Sequence, residues 1–125
     1  MTRMKTEVAG KIILRLGLAA LFLWFGFSQI FDGLHWVSWV PAWAVSFFHL
    51  PPAMLVLLNG AFEVIAGGMF ALGIFVRPVA LLLGGHLALI IFGIGLNAIG
   101  VRDFGLMMAT FALMLLGPDD YCVMR

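Results

Sequence analysis

The sequence predicts an all-α protein: a membrane-embedded four-helix bundle with a short amphipathic outer interfacial segment between helices 1 and 2. Three observations predict it. Of the 125 residues, 64% are hydrophobic and 10% charged, with a mean hydropathy of +1.15, whereas a soluble domain is nearer half apolar and a quarter charged. The apolar residues fall in long runs, and a bilayer core of about 30 Å takes roughly 20 of them per helix. Four runs with their connections use up nearly the whole chain, so residues 1–125 read as a single domain.

The first span covers about Ile12–Phe31 and follows a short polar N-terminus without a small-residue cleavage site, so it reads as a retained helix. The connection Asp32–Pro52 carries Trp36, Trp39, Trp43 and Phe47 at steps of three and four, with His35, Ser38, Ala42, Ser46 and His49 largely opposite. That is an amphipathic pattern, and tryptophan favours the headgroup level. One or two short interfacial helices are expected, interrupted near Pro41, acting as an aromatic anchor, as a lid over a pocket or as a docking surface for a partner. The second span, about Ala53–Val76, opens at Pro51–Pro52 and is expected to stop at Arg77–Pro78. The third covers about Val79–Ile99. The fourth, about Phe104–Leu116, is short for a spanning helix and is expected to borrow Gly100–Asp103, to tilt little, or to re-enter.

Positive residues set the orientation. Arg3, Lys5, Lys11, Arg15, Arg77 and Arg125 fall on one side of this topology and only Arg102 on the other, which puts both termini in the cytoplasm. A net charge of +1 with no block of like charge excludes a nucleic-acid partner. The lone cysteine, Cys122, excludes an internal disulfide and a dithiol shuttle, unless a partner chain supplies the second sulfur. His35 and His49 lie in the outer connection, too far from His86 to build a metal site with it.

The few polar residues inside the spans carry the functional signal. Arg15, Ala19, Phe22, Gly26 and Gln29 share one face of span one; Asn59, Glu63, Gly67 and Ala71 share one face of span two. His86, Ile90, Gly93 and Asn97 do so in span three, and Asp103, Met107, Thr110 and Met114 in span four. Lipid cannot satisfy polar groups, so these stripes are expected to face one another. At about 1.5 Å per residue, Arg15 and His86 fall in the inner half, Glu63 near the middle, and Gln29, Asn59, Asn97 and Asp103 toward the outside. A carboxyl at mid-membrane is expensive unless paired, which makes Glu63 the leading candidate for ligand contact or proton handling. His86, Asn59, Asn97, Gln29, Arg15, Asp103 and Thr110 are the further candidates, each with a structural role as its alternative, which for Arg15 is snorkelling to the inner interface. No nucleophile–base pair, phosphate loop or haem-ligand pair is visible, so no catalytic residue is assigned.

With these residues in place, the chain resembles the DoxX family of small four-helix membrane proteins. Arg15, Gly17, Phe22 and Gly26 resemble the family's opening helix, with Gln29 where a lysine often follows. Gly60, Glu63 and Gly67, followed by Arg77, resemble its G-x-x-E-x-x-x-G helix and inner arginine. Asp103, the run Ala112–Leu116, Gly117 and Pro118 resemble its closing piece, with Asp119–Asp120 replacing the final glycine. The resemblance implies a four-helix bundle in a prokaryotic cytoplasmic membrane, and some similar proteins are membrane subunits of quinone-linked or oxidative-stress redox assemblies. The expected function is therefore a membrane subunit of a redox or quinone-linked assembly, not catalytic by itself, that binds a small ligand, quinone or lipid within the bundle. Quinone is the candidate cofactor. The expected partners are membrane lipids and either further copies of this chain or other membrane redox subunits. A structural protein without a ligand and a small transporter or proton pathway are the rival readings; no inverted repeat favours transport.

Overall fold

The computed structural model describes residues 2–95, 97–119 and 121–123. Asp120 and Arg125, and the side chain of Arg3, lie outside the described residues. Four long helices and two short ones follow in order: α1 (Thr2–Phe31), a 3₁₀ helix (Gly33–Trp39), α2 (Ala42–Phe48), α3 (Pro52–Leu72), α4 (Val76–Ile94) and α5 (Ala98–Leu116). Within them Lys5–Phe31, Pro52–Leu72 and Val76–Gly93 are each long and apolar enough to cross a membrane. This is a multi-pass membrane protein.

The boundaries correct the sequence reading in three places. At 30 residues, α1 is about 45 Å long and exceeds a bilayer core of about 30 Å, because nothing in the polar N-terminal segment breaks the helix. The second span does not run to Arg77–Pro78. It stops at Leu72, where Gly73 takes a left-handed conformation (φ 74°) and the N–H groups of Gly73 and Ile74 donate to the carbonyls of Phe70 and Met69. Pro78 instead sits in the first turn of α4, where a missing N–H would have had no helical partner. Span three ends early as well, at Ile94, with Gly95 at φ 87°. The fourth helix consequently begins at Ala98 and is 19 residues long, about 28 Å. Asn97 is its N-cap, the side-chain oxygen accepting from the Gly100 N–H at 2.9 Å. Asn97 thus lies on a helix end rather than in a polar stripe.

The long helices pack as two close pairs, α1 with α3 and α4 with α5. Glycine sets the first pair. A Cβ on Gly60 would stand 2.8 Å from the Gly26 carbonyl oxygen, and one on Gly26 would stand 2.9 Å from the Val64 nitrogen. The two backbones touch, as small residues allow in membrane helices. In α4, Gly84 makes room for the Phe111 ring of α5. The pairs join through a packed apolar core of Leu18, Phe22, Phe70, Val76, Leu83 and Leu113, toward the end of the bundle where α3 stops and α4 begins. Gly60→Ala is expected to destabilise the fold by about 1–3 kcal/mol by overpacking against backbone. Gly68→Ala, with nothing within 4 Å of the new Cβ, is expected to be neutral or mildly stabilising. Unfolding both variants in mild detergent checks the contrast, and equal effects would remove the close-approach argument.

Beyond α5 the chain folds back over the end of the bundle where α3 stops. Gly117 (φ 80°) turns it, and the Val123 N–H donates to the Leu72 carbonyl at 3.0 Å. Arg15, 3% exposed, is held there by Asp119 (Nε to Oδ2, 2.8 Å) and donates to the carbonyls of Phe70 and Ala71 at 2.6 and 2.9 Å. Those carbonyls belong to the last turn of α3, where that of Phe70 also accepts from the Gly73 N–H, and a cation is favoured at that end of a helix. Arg15 is therefore a buried clamp, not a residue snorkelling to the inner interface.

Candidate functional site: a lidded cavity between the helix pairs

Since the core fills only that end, the half between the two pairs beneath the α1–α3 connection stays open. A cavity of about 640 Å³ lies there, within the range of about 300–1,000 Å³ usual for small-molecule sites. Its roof is the connection between α1 and α3: Trp36 and Trp39 of the 3₁₀ helix, and Pro41, Trp43, Ala44 and Phe47 in and around α2, all line it. The roof is seated at both ends. The Trp36 Nε1–H donates to Ser28 of α1 at 3.0 Å, and Gly93 of α4 lies against Pro41 and Trp43. The aromatic stripe that sequence reading left as anchor or lid thus covers the cavity.

Apolar side chains form most of the wall, and every long helix except α4 brings at least one amide or charged group to it. Gln29 comes from α1, Asn59 and Glu63 from α3, His86 from α4, Arg102 and Asp103 from α5. Asn59 and Glu63 are one turn apart on α3 and so share a face. The Asn59 Nδ2–H donates to Gln29 Oε1 at 2.6 Å and lies 3.4 Å from Glu63 Oε1. His86 Nε2 is 3.8 Å from that same oxygen, beyond hydrogen-bond reach, with its ring tilted on Phe62 at 4.8 Å between centroids. Glu63 is 4% exposed. Its Oε2 and the His86 Nε2 are both buried without a hydrogen-bond partner among the described residues, a costly state that folded proteins rarely tolerate without reason. Asp103 is buried against Arg102 at 3.1 Å, and the Arg102 guanidinium lies over the Phe25 ring, 4.6 Å from its centre.

Five of the eight residues singled out in the sequence meet here: Gln29, Asn59, Glu63, His86 and Asp103. Three do not. Arg15 is clamped at the inner end, Asn97 caps α5, and Thr110 donates to the Leu106 carbonyl of its own helix at 2.7 Å. Arg102 was missed as a site residue. Read for orientation, it counts only as the lone outer positive charge; its signal was its place beside Asp103, the head of the α5 stripe.

A family model, DoxX, matches residues 10–96. The chain belongs to the DoxX family. No curated protein and no solved structure matches it. The match takes in α1, the roof, α3 and α4, hence every wall of the cavity but α5. Within this DoxX chain the motif glycines and the motif glutamate divide their work. Gly60 and Gly67 let α3 lie on α1, which brings Gln29 to Asn59, and Glu63 between them turns into the cavity. Arg77, the inner arginine of the DoxX resemblance, lies against the turn at Gly117, far along α4 from His86.

Proposed function

We propose that this DoxX protein is the membrane subunit of a redox or quinone-linked assembly, and that it holds a small apolar ligand, a quinone or a lipid, in the lidded cavity. One observation carries the reading: a carboxyl and an imidazole, each with a buried atom that has no partner among the described residues, stand side by side in the wall of a space of ligand size that is otherwise mostly apolar. A scaffold would gain by collapsing this space and pairing Glu63 with His86; these helices keep them apart. A ligand head with a donor and an acceptor would complete both groups. Quinone heads fit, because a carbonyl accepts and the reduced form's hydroxyl donates; bound there, a quinone would supply two-electron redox chemistry. The chain's own part would be to hold the head against Glu63 and His86, to keep Glu63 in place through Asn59 and Gln29, and to exclude water beneath the tryptophan roof.

In the same reading all four long helices cross a prokaryotic cytoplasmic membrane, with both termini cytoplasmic and the roof outside. A cysteine placed at exposed Ser38 of a Cys122→Ser protein is expected to react with an impermeant maleimide from outside intact cells; protection there with labelling only after lysis would reverse the orientation. The binding reading itself is tested by gentle extraction of the protein from its native membrane and mass spectrometry of what leaves with it. A tailed, neutral, head-grouped molecule near one per chain is the expected result.

A further inference from the structure

The cavity's wall is unequal. Toward α1 and α5 the lining residues Leu21 and Arg102 are partly open, at 38% and 39%, but the gap is narrowed by the Arg102 guanidinium over Phe25 and by Trp36 set edge-on against the same ring at 5.9 Å. Toward α3 and α4 the pattern differs. The two helices meet at Phe62 and His86, and one turn nearer the roof their lining residues are Leu58 and Leu89. These two are 51% and 62% exposed although they line the cavity, and so are Phe47 and Phe48 of α2 above them, at 72% and 53%. Of the apolar residues that line the cavity, these four are the most open to the surroundings, and they mark its widest mouth. The four outline a window, with the Phe62–His86 contact as its sill, the leucines as its sides and the α2 phenylalanines as its lintel. Leu58 and Leu89 lie five or six residues inside the ends of their helices, about 8–9 Å deep, which is the level of lipid chains and not of headgroups.

We infer that the cavity is loaded sideways from the leaflet beneath α2, through the window between Leu58 and Leu89, by a single-tailed, membrane-dissolved molecule whose uncharged head reaches Glu63 and His86 while its tail stays in the window. This rests on the proposed ligand-binding reading and adds the route and the class of ligand. The window is framed by Leu and Phe, which give a water-soluble ligand nothing to bond on the way in. A charged head would have to pass the same apolar frame at a depth where charge is expensive. A tail has no such cost: leaving it between two leucines exchanges one hydrocarbon contact for another. The cavity then needs room for the head and the first part of the tail only.

The experiment uses the full chain in nanodiscs, a decyl-tailed benzoquinone with a diazirine at the end of its tail, and the tail-less parent benzoquinone. The tail diazirine is expected to label α3 and α4 around Leu58 and Leu89, as mapped by peptide mass spectrometry. In Leu58→Trp/Leu89→Trp, two lipid-facing changes away from Glu63, the tailed probe should associate roughly tenfold more slowly or worse, with the unfolding midpoint unchanged. The tail-less parent should be held weakly by both proteins. Retention of the tailed probe with labels on α1 and α5, or an association rate untouched by the two tryptophans, overturns side loading and leaves the cavity reading standing. Retention of neither probe by the wild type overturns both.

Discussion

Asp119→Ala is expected to destabilise the protein by about 3–5 kcal/mol, the usual cost of removing one partner of a buried ion pair. The variant leaves the Arg15 guanidinium buried with only the carbonyls of Phe70 and Ala71 for company. It also frees the tail, because Asp119 accepts from the Tyr121 N–H at 2.9 Å. Arg15→Met should cost a similar amount by leaving the carboxylate buried without its counter-charge. The double variant is the decisive measurement: with both charges gone there is no stranded ion, so its loss should fall well short of the sum of the singles. Additive losses in a detergent unfolding titration would mean that the two side chains act separately. The pair also predicts an acid limit. Burial by itself would raise the Asp119 carboxyl, but the hydrogen bonds from Arg15 and Tyr121 and the Arg15 charge outweigh it and hold the group below its ordinary 3.8. The pair's contribution is therefore complete above that value and is lost as pH falls through the lowered one. Asp119→Ala should lack this last acid-side step.

Under the proposed binding role, Glu63→Gln is expected to fold like the wild type yet hold a tailed quinone probe roughly ten- to a hundredfold less tightly, the worth of a hydrogen bond to an ionisable group. The amide keeps the side chain's length, and its oxygen can still accept from Asn59, so the Gln29–Asn59 contact at 2.6 Å has no cause to break. What changes is Oε2, the buried oxygen without a partner, which becomes an NH₂ that cannot accept or titrate. Binding by fluorescence or by native mass spectrometry, set beside the unfolding midpoint, separates the two roles. Unchanged ligand retention with an unchanged midpoint would reduce Glu63 to a packing residue and remove it from the site.

Much of this architecture was legible because its causes are local in the chain. Apolar runs report membrane helices, prolines and glycines report their breaks, and the cost of polar groups in lipid shows which face of each helix must turn inward. That reasoning reached Glu63, Asn59, Gln29, His86 and Asp103, residues from four helices that line one cavity. It misplaced Asn97 because helix ends are decided by backbone detail: Gly95 stops α4 and leaves Asn97 to cap the next helix, though the apolar pattern runs on past it. It misjudged Arg15 because its partner lies 104 residues away, and periodicity carries no information about which distant residue comes back.

The sequence by itself determined the membrane setting, the family, the inward faces and the aromatic segment, since each follows from the kind and spacing of neighbouring residues. Only the tertiary structure decided that the inward faces do not all meet. Backbone contact through Gly26 and Gly60 binds α3 to α1, α4 binds α5, and the apolar core joins the pairs at one end alone. The gap left at the other end is a property of helix separation and tilt. Helical periodicity specifies the direction in which a side chain points, and is silent on how far away the opposite helix stands.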